Sequence, residues 1–459
     1  MKITIEKFGP IEKFEYDLEK DLIITYGNNN IGKSYAMQIV YLLLKTFIHN
    51  HFVMPERKVY LYPHRIDTSL PEGRLESLVR IFMESEEQIK DITPDIVAEV
   101  SNFVTLAVMP VFINSCKNTF GNFEKNLEEN PVITIDYNEY HFEIRLKTGA
   151  ANGVIDIKPV FLKKMNSAEE KIDNTSTDLV IYAGDQIEKN LELIDEEIYK
   201  ILMRFFYHLA GTFSNVYFLP ASRSGIYAGM NAFGPIVAEL SRNRAYITQK
   251  IEFPGISESI SDYFIALSNI QLTANGELEK IYGTIEDNIL KGRVTFDKSR
   301  NALMYTPAHV DASYKMTEVS SMVSEISPIV AFLKYIITEH KGKQKSKSIL
   351  FIEEPEAHLH PNNQIMLIEI FAEMLDCGVK LIMSSHSNYV FNKINNLILA
   401  KKLDYRLYDP IVLEDRAGGS VSKHVNIDEL GADDENFVDV SENLYNEREE
   451  IIERLNAED

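Results

Sequence analysis

A glycine- and asparagine-rich loop constrains this chain more than any other sequence feature. The run Gly27-Asn28-Asn29-Asn30-Ile31-Gly32-Lys33-Ser34 fits the pattern G-x-x-x-x-G-K-[ST] at every position. A mostly apolar run, 21–26, precedes it, and a helical pattern follows from Lys33 to about His49. The backbone N–H groups of such a loop, together with the N-terminus of the following helix, favour a bound anion. We therefore predict a phosphate-binding loop; the alternative is a simple turn before a helix.

The residues of this loop have different expected roles. The Lys33 ammonium would reach the β and γ phosphates of a nucleotide, and the Ser34 hydroxyl would hold Mg²⁺. The predicted nucleotide contacts are Gly27, Asn28, Asn29, Asn30, Ile31, Gly32, Lys33, Ser34 and Tyr35.

Two adjacent carboxylates form the second candidate element. Glu353 and Glu354 follow the wholly apolar run Ile349–Ile352, which predicts a buried strand. Ligands bind at the carboxyl ends of strands in open α/β sheets. One carboxylate can hold Mg²⁺ and the other can polarise an attacking water. Solvated acids at an exposed strand end are the alternative, which the apolar strand disfavours.

A histidine at the end of another predicted strand is the third element. In Leu381-Ile382-Met383-Ser384-Ser385-His386-Ser387, a predicted buried strand ends in polar residues with His386 at its tip. A neutral imidazole there could contact a γ-phosphate or the attacking water. A lone histidine is more often structural, but its place after two nucleotide motifs favours the functional interpretation.

Six motifs in order resemble one family. The chain resembles the ATP-binding-cassette branch of P-loop ATPases, as in SMC-like and OLD-like proteins, and most of all the AAA_15 ATPases common in bacterial defence loci. The motifs are FGPI at 8–11, the loop above, Tyr217–Gly225, Val319–Tyr335, Phe351–Pro361 and Met383–Ser387. The resemblance covers both ends of the chain well and residues 50–210 poorly.

This resemblance implies an α/β fold, namely an ABC-type ATPase head with a mixed sheet and an inserted, mostly helical region. It also implies ATP and Mg²⁺ as ligands. Glu353 stands where a Walker B aspartate is usual and would bind Mg²⁺, Glu354 matches the catalytic glutamate, and His386 matches the switch histidine. Lys33 joins these last two as a predicted catalytic residue.

Other matched positions imply a site shared between subunits. Ser320 and Ser321 match the signature motif, which reaches the partner subunit's γ-phosphate, and Ala357–His360 match the D-loop at the subunit interface. Arg223 matches an arginine frequent in these ATPases. The resemblance thus predicts a homodimer or a larger even-numbered assembly. Met322 replaces the usual signature glycine, and a side chain there would hinder backbone approach to phosphate, which predicts slow hydrolysis or a differently organised dimer.

The spacing of the motifs predicts the domain organisation. Residues 1–50 and 210–427 would form the ATPase, 51–209 an inserted α/β region, and 428–459 an acidic helix or tail. The 318 residues between Ser34 and Glu353 carry no sustained heptads, so long SMC-type arms are not expected. Only 73 residues follow His386, too few for the TOPRIM nuclease domain of OLD-type proteins.

Charge and composition narrow the function classes. The net charge of −22 argues against broad DNA coating, and residues 428–459 alone contribute −11 through 13 acidic and 2 basic side chains. Cys116 and Cys377 cannot form a disulfide framework and lack metal-site spacing. No 18-residue apolar run is present, and the charged N-terminus does not match a signal peptide, so we expect a soluble, cytoplasmic protein without a membrane span.

Two function classes remain open. The first is an ATPase sensor or scaffold of an anti-phage system, resembling the two-gene PARIS architecture. It would control a separate TOPRIM-like nuclease or toxin and respond to a phage protein. The second is an SMC-like repair or recombination ATPase, for which four lysines within 341–347 are a candidate DNA patch, although a solvated loop is the simpler interpretation. A nearly inactive nucleotide switch is a third possibility. The acidic tail either packs on the ATPase or offers its charged face to a basic effector.

Overall fold

The computed structural model describes most of the chain and all of its nucleotide motifs. The described residues are 1–49, 51–53, 58–62, 66–69, 74–84, 89–137, 140–147, 154–159, 180–182, 191, 194, 198, 212–229, 255–270, 276, 278–337, 347–433, 445–452 and 454.

Strands alternate with helices in the last third of the chain, as the sequence predicts. The strands are β1 Lys2–Phe8, β2 Ile11–Asp17, β3 Leu22–Tyr26, β4 His51–Val53, β5 Lys58–Tyr62, β6 Ile66–Ser69, β7 Ile89–Asp91, β8 Val132–Tyr137, β9 Tyr140–Arg145, β10 Val154–Pro159, β11 Val180–Tyr182, β12 Phe213–Leu219, β13 Gly292–Asp297, β14 Ala302–Pro307, β15 Tyr314–Lys315, β16 Lys347–Glu353, β17 Val379–Ser385, β18 Tyr408–Arg416, β19 Gly419–His424, β20 Ile427–Asp428 and β21 Gly431–Ala432. The helices are α1 Lys33–His49, α2 Arg74–Met83, α3 Thr93–Phe103, α4 Met109–Thr119, α5 Glu258–Ser268, α6 Glu279–Thr284, α7 Ser321–Ala331, α8 Pro361–Asp376 and α9 Asn388–Leu399.

An eleven-stranded mixed sheet organises the described residues. Its order is β10-β9-β8-β1-β2-β19-β18-β3-β17-β16-β12. The neighbours from β18 to β12 all pair in parallel. The strands from β10 to β2 are antiparallel, beginning with the β1–β2 hairpin, in which Phe8 faces Ile11 across the Gly9-Pro10 turn. The predicted α/β fold with a mixed sheet is confirmed.

The central parallel strands β3, β16 and β17 are buried on both faces. Along β16, Ile349 and Phe351 join the core under α1, while Leu350 and Ile352 join the core under α7, α8 and α9. Successive side chains of a strand point to opposite faces, so a continuous apolar run is the expected sequence of a strand covered by helices on both sides.

Two features bear on the predicted domain limits. Strands β8–β10 lie within the range 51–209, predicted as an insert, yet they extend the ATPase sheet. Residues 427–432 form the small β20–β21 pair, and Asn395 of α9 exchanges two hydrogen bonds with the main chain of Ala432. The first residues of the predicted acidic tail are therefore fastened to the ATPase.

Three further expectations concern the lysine run, the C-terminal helix and membrane-spanning helices. Lys347 lies in β16 and pairs with Asp21 at 2.5 Å, whereas the rest of the lysine run falls outside the described residues. The described part of the predicted C-terminal helix, 445–452, is helical and exposed. No helix of the described residues is long and apolar enough to cross a membrane.

Candidate active site

The phosphate-binding loop joins β3 to α1 with the conformation that its glycines allow. Gly27 has φ +138° and Gly32 has φ +99°, values that side-chain-bearing residues rarely adopt. A Cβ on Gly27 would lie 2.8 Å from the main-chain oxygen of Leu413, so a side chain there would also clash. Asn30 has φ +65°, which asparagine tolerates better than most residues. Asn28, Asn29 and Asn30 are exposed, while Ile31 anchors the loop in the core.

The Lys33 ammonium points back into this loop. Nζ donates hydrogen bonds to the main-chain oxygens of Gly27 at 2.9 Å and Asn28 at 2.6 Å. Burial lowers the Lys33 pKa to about 8, and the negative charges of Glu354 and Glu356 partly oppose that shift. The two main-chain oxygens are neutral acceptors, whereas a phosphate bound in the loop would give the Lys33 ammonium a negatively charged acceptor.

Glu353 ends β16 as a buried carboxylate with one unused oxygen. It is 6% exposed, and Oε2 accepts a 3.1 Å hydrogen bond from the Ala221 N–H. Oε1 has no hydrogen-bond partner among the described residues. Burial raises the Glu353 pKa, and the nearby Ser34 hydroxyl opposes this shift. A buried, unpaired carboxylate oxygen beside a serine hydroxyl is a donor set that fits Mg²⁺.

Glu354 faces the other way and meets His386. Its Oε1 lies 3.6 Å from His386 Nε2, and His386 lowers the Glu354 pKa. Glu354 has φ +43°, an uncommon value for a side-chain-bearing residue. Its N–H donates to the main-chain oxygen of Ser384 at 3.1 Å, which helps to hold the strained backbone. The neighbouring acids therefore have opposite pKa shifts, one raised and one lowered.

Strand register explains why these residues meet. Ser385 of β17 pairs with Tyr26 of β3, and Ser384 pairs with Glu353 of β16. The loop after β3, the acids after β16 and the histidine after β17 consequently emerge at the same edge of the sheet. Lys33, Ser34, Glu353, Glu354 and His386 lie together there, as the motifs predict.

Arg223 has a different position from the one expected of a nucleotide contact. Its side chain is fully buried, and its donors bond main-chain oxygens of Pro220, Glu325, Glu353 and Glu354. Its Nε also lies 3.5 Å from the Glu325 carboxylate. The guanidinium is thus bonded to the protein and supports the main chain of the acidic pair, while its predicted contact with a nucleotide stays a prediction.

The signature serines lie at the exposed start of α7. Ser320 caps the N-terminus of α7, and Ser320 and Ser321 are both exposed. No hydrogen bond or ion pair within the described ranges joins either serine to Lys33 or to the acidic pair. Met322 is partly buried and packs against the core under α7. The expected obstruction of phosphate by this side chain stays a prediction.

Tyr35 is engaged in packing as well. Its ring lies 4.9 Å from the Phe120 ring and 6.4 Å from the Phe8 ring. The expected contact of Tyr35 with a nucleotide stays a prediction.

Three supporting residues were missed by sequence reasoning. Glu325 holds Ser224, Glu356 holds the segment around His386, and Gln364 accepts a 2.6 Å hydrogen bond from the Ser387 hydroxyl. Glu356 lies inside the motif Phe351–Pro361 and Glu325 lies inside Val319–Tyr335, so each could have been singled out as a further acid of its motif. Gln364 lies outside the six motifs, and no sequence signal pointed to it.

A phosphate-binding loop facing two strand-end acids and a histidine defines a P-loop ATPase site. The model of the AAA_15 family, described as an AAA ATPase domain, matches residues 1–391, and the chain belongs to this family. Among curated proteins, none matches the chain.

Two solved structures show a distant likeness to this chain. The SMC head domain from Thermotoga maritima has 9% identity and a TM-score of 0.36, covering 93% of this chain and 98% of that one. An SMC head bound to the C-terminal winged-helix domain of ScpA has 11% identity and the same TM-score, covering 93% and 97%. The fold assignment rests on the strand order and the site, not on these two structures.

Proposed function

We propose that this protein hydrolyses ATP with Mg²⁺, at sites completed between the subunits of a homodimer or larger homo-oligomer. One observation carries the proposal: Lys33, Glu353, Glu354 and His386 converge at the edge of the sheet where the phosphate-binding loop lies. Positioning and electrostatic stabilisation account for most of the catalysis of phosphoryl transfer, and these residues supply both.

Each residue has a distinct part in the proposed reaction. The loop N–H groups and Lys33 bind the phosphates and balance charge that accumulates on the γ-phosphoryl oxygens. Glu354 orients the attacking water and accepts its proton as the water oxygen bonds to the γ-phosphorus and the β–γ bridging oxygen leaves. His386, 3.6 Å from Glu354, fixes that carboxylate. The lowered Glu354 pKa keeps the base ionised.

The unpartnered Glu353 oxygen supports a metal site. Glu353 Oε1 and the Ser34 hydroxyl would hold Mg²⁺. When bound, Mg²⁺ supplies positive charge to the β and γ phosphates. Arg223 keeps Glu353 and Glu354 in place through their main-chain oxygens.

The exposed signature serines support a site shared between subunits. Ser320 and Ser321 stand at the N-terminus of α7, where backbone N–H groups and the helix dipole attract an anion. Because they have no described contact with their own phosphate-binding loop, we propose that they contact the γ-phosphate on a second subunit.

A subunit-mixing experiment tests this arrangement. Lys33→Ala and Ser321→Arg should each abolish turnover alone. In a randomly mixed dimer, half of the molecules would combine both variants and retain one intact site, so about a quarter of wild-type activity should return. If mixing restores nothing while mixed dimers demonstrably form, the shared site is wrong. If the wild type shows no Mg²⁺-dependent turnover, the hydrolysis proposal itself fails.

We further propose that the ATPase acts as a sensor or scaffold that controls a separate effector, a nuclease or toxin, in anti-phage defence. The support is the family resemblance together with the acidic C-terminal region, where helix 445–452 exposes Tyr445, Ile451 and Ile452 among its acids. An exposed acidic and apolar helix suits docking of a basic partner. Truncation after Asp433, which spares the β20–β21 pair, should abolish co-purification of the adjacent gene product and leave turnover intact.

The alternative is an SMC-like ATPase acting on DNA. Turnover measured with and without duplex DNA at low and moderate salt separates the two proposals. Strong, salt-sensitive stimulation would favour the DNA role, because phosphate contacts weaken steeply with salt. The net charge of −22 and the pairing of Lys347 with Asp21 weigh against it.

A further inference from the structure

The third acid of the Phe351–Pro361 motif lies next to the proposed catalytic residues without being one of them. Glu356 Oε1 accepts a 2.7 Å hydrogen bond from the His386 N–H and a 2.8 Å bond from the Ser385 hydroxyl. Ser385 is fully buried, and its oxygen in turn accepts from the Ser387 N–H at 3.1 Å. One carboxylate oxygen therefore holds the main chain on which the His386 ring is mounted.

A second side chain holds the same segment from the other side. Gln364 of α8 accepts a 2.6 Å bond from the Ser387 hydroxyl and donates at 3.0 Å to the main-chain oxygen of Leu359. These hydrogen bonds hold the segment 384–387 against the residues that follow Glu354. The Glu354 N–H adds a bond to the main-chain oxygen of Ser384. Movement of either segment would change the 3.6 Å separation of Glu354 and His386.

We propose that Glu356 is a positioning residue, which places the His386 imidazole against Glu354 by accepting the His386 and Ser385 donors. This rests on the proposed ATP hydrolysis for its kinetic consequence but not for its geometry. An alternative for Glu356 is electrostatic, because its charge also raises the Lys33 pKa. The two roles differ in what they need: positioning requires an acceptor oxygen, and the electrostatic role requires the negative charge.

Glu356→Gln separates these roles, since an amide oxygen accepts both hydrogen bonds but carries no charge. Glu356→Ala removes both. We expect Glu356→Ala to lower kcat about 10- to 100-fold with KM changed less than about threefold, within the range for loss of a positioned acid–base group. Glu356→Gln should restore kcat to within about threefold of wild type. Equal defects in the two variants would overturn positioning in favour of charge.

A double-mutant cycle tests whether the effect passes through His386. If Glu356 acts by placing that ring, Glu356→Ala should cost less than about twofold in a His386→Ala background. Additive effects would mean that the residues act separately and would overturn the proposal. Glu373→Ala is the matched control, because Glu373 is an acid of α8 that pairs with Lys280 on the surface.

A spectroscopic readout is independent of turnover. In protein labelled at the histidine ring carbons, the NMR resonance of His386 is identified by its loss in His386→Ala. This resonance should shift in Glu356→Ala and return towards its wild-type position in Glu356→Gln. It should not move in the control Glu373→Ala. An unmoved resonance in folded Glu356→Ala would refute the positioning role. If the wild type does not hydrolyse ATP, this measurement still decides the inference, while the proposed function alone is lost.

Discussion

Arg223 Nη1 donates a 2.8 Å hydrogen bond to the main-chain oxygen of Glu353, and Arg223 Nη2 bonds that of Glu354. The same guanidinium reaches Glu325 of α7 through its main-chain oxygen and its carboxylate. A fully buried cation thus joins the helix headed by Ser320 and Ser321 to the two strand-end acids. The acids keep their side chains available because the support acts on their backbone.

Loss of this arginine should destabilise the fold. Arg223→Met would leave the buried Glu325 carboxylate without its cation, a change that typically costs about 3–5 kcal/mol. Urea denaturation should show that fall in the free energy of unfolding. Arg416→Met removes a surface pair with Glu414 and should cost less than about 1 kcal/mol. Similar values for the two variants would count against a supporting role for Arg223.

Glu354→Gln should separate nucleotide binding from hydrolysis. The amide cannot accept a proton from water, so turnover should fall at least about 100-fold while ATP affinity is kept. Light scattering should show an ATP-dependent assembly that persists longer than in the wild type. Lys33→Ala is the contrasting variant and should lose binding itself. Near-wild-type turnover in Glu354→Gln would show that another group is the base.

Met322→Gly should not accelerate hydrolysis. The Met322 side chain packs against the core under α7, so its loss removes buried apolar surface and introduces glycine into a helix. We expect a cost of about 1–2 kcal/mol in thermal or chemical denaturation, with Met322→Leu close to wild type. A clear rise in kcat would instead support obstruction of the signature motif by this side chain.

His424 should make stability depend on pH. Its Nδ1 lies 2.8 Å from the buried Asp409, its Nε2 lies 3.6 Å from Glu15, and these acids raise the His424 pKa against burial and the nearby Lys2. Because the folded pKa lies above the unfolded one, the stabilisation is complete below the unfolded value and is lost as pH rises through the folded value.

The variant His424→Gln measures this contribution. The difference in melting temperature from wild type should be largest near pH 5.5 and shrink by pH 8.5. His309→Gln, at an exposed histidine, should show no such trend. If the difference in melting temperature were the same across this pH range, His424 would stabilise the fold by packing alone, and the predicted dependence on its titration would be wrong.

The sequence of each segment was sufficient to predict the strands and the helix that carry the candidate site. The alternation of Lys2–Phe8 and the apolar runs ending at Tyr26, Glu353 and Ser385 predicted strands that the structure contains. Helix α1 begins at Lys33, as the loop pattern requires. These features depend on residues that are neighbours in the chain, where periodicity and backbone preference act directly.

No sequence pattern predicted the contacts between residues that are distant in the chain. The sequence did not predict that Arg223 is fully buried and bonded to the main chain of the acidic pair, or that Met322 packs partly buried against the core under α7. It also treated 51–209 as an insert, although β8–β10 continue the sheet. Such outcomes depend on which surfaces pack together, and a pattern within one segment does not specify its partner.

The sequence by itself determined the chemistry of this protein: a phosphate-binding loop, two strand-end acids and a histidine, in the order of the AAA_15 family. Only the tertiary structure decided how that chemistry is held, with Arg223 behind the acids and Glu356 beneath His386. The physical reason is that a buried charge needs partners within hydrogen-bond distance. Those partners come from strands and helices that the fold, rather than the chain order, brings together.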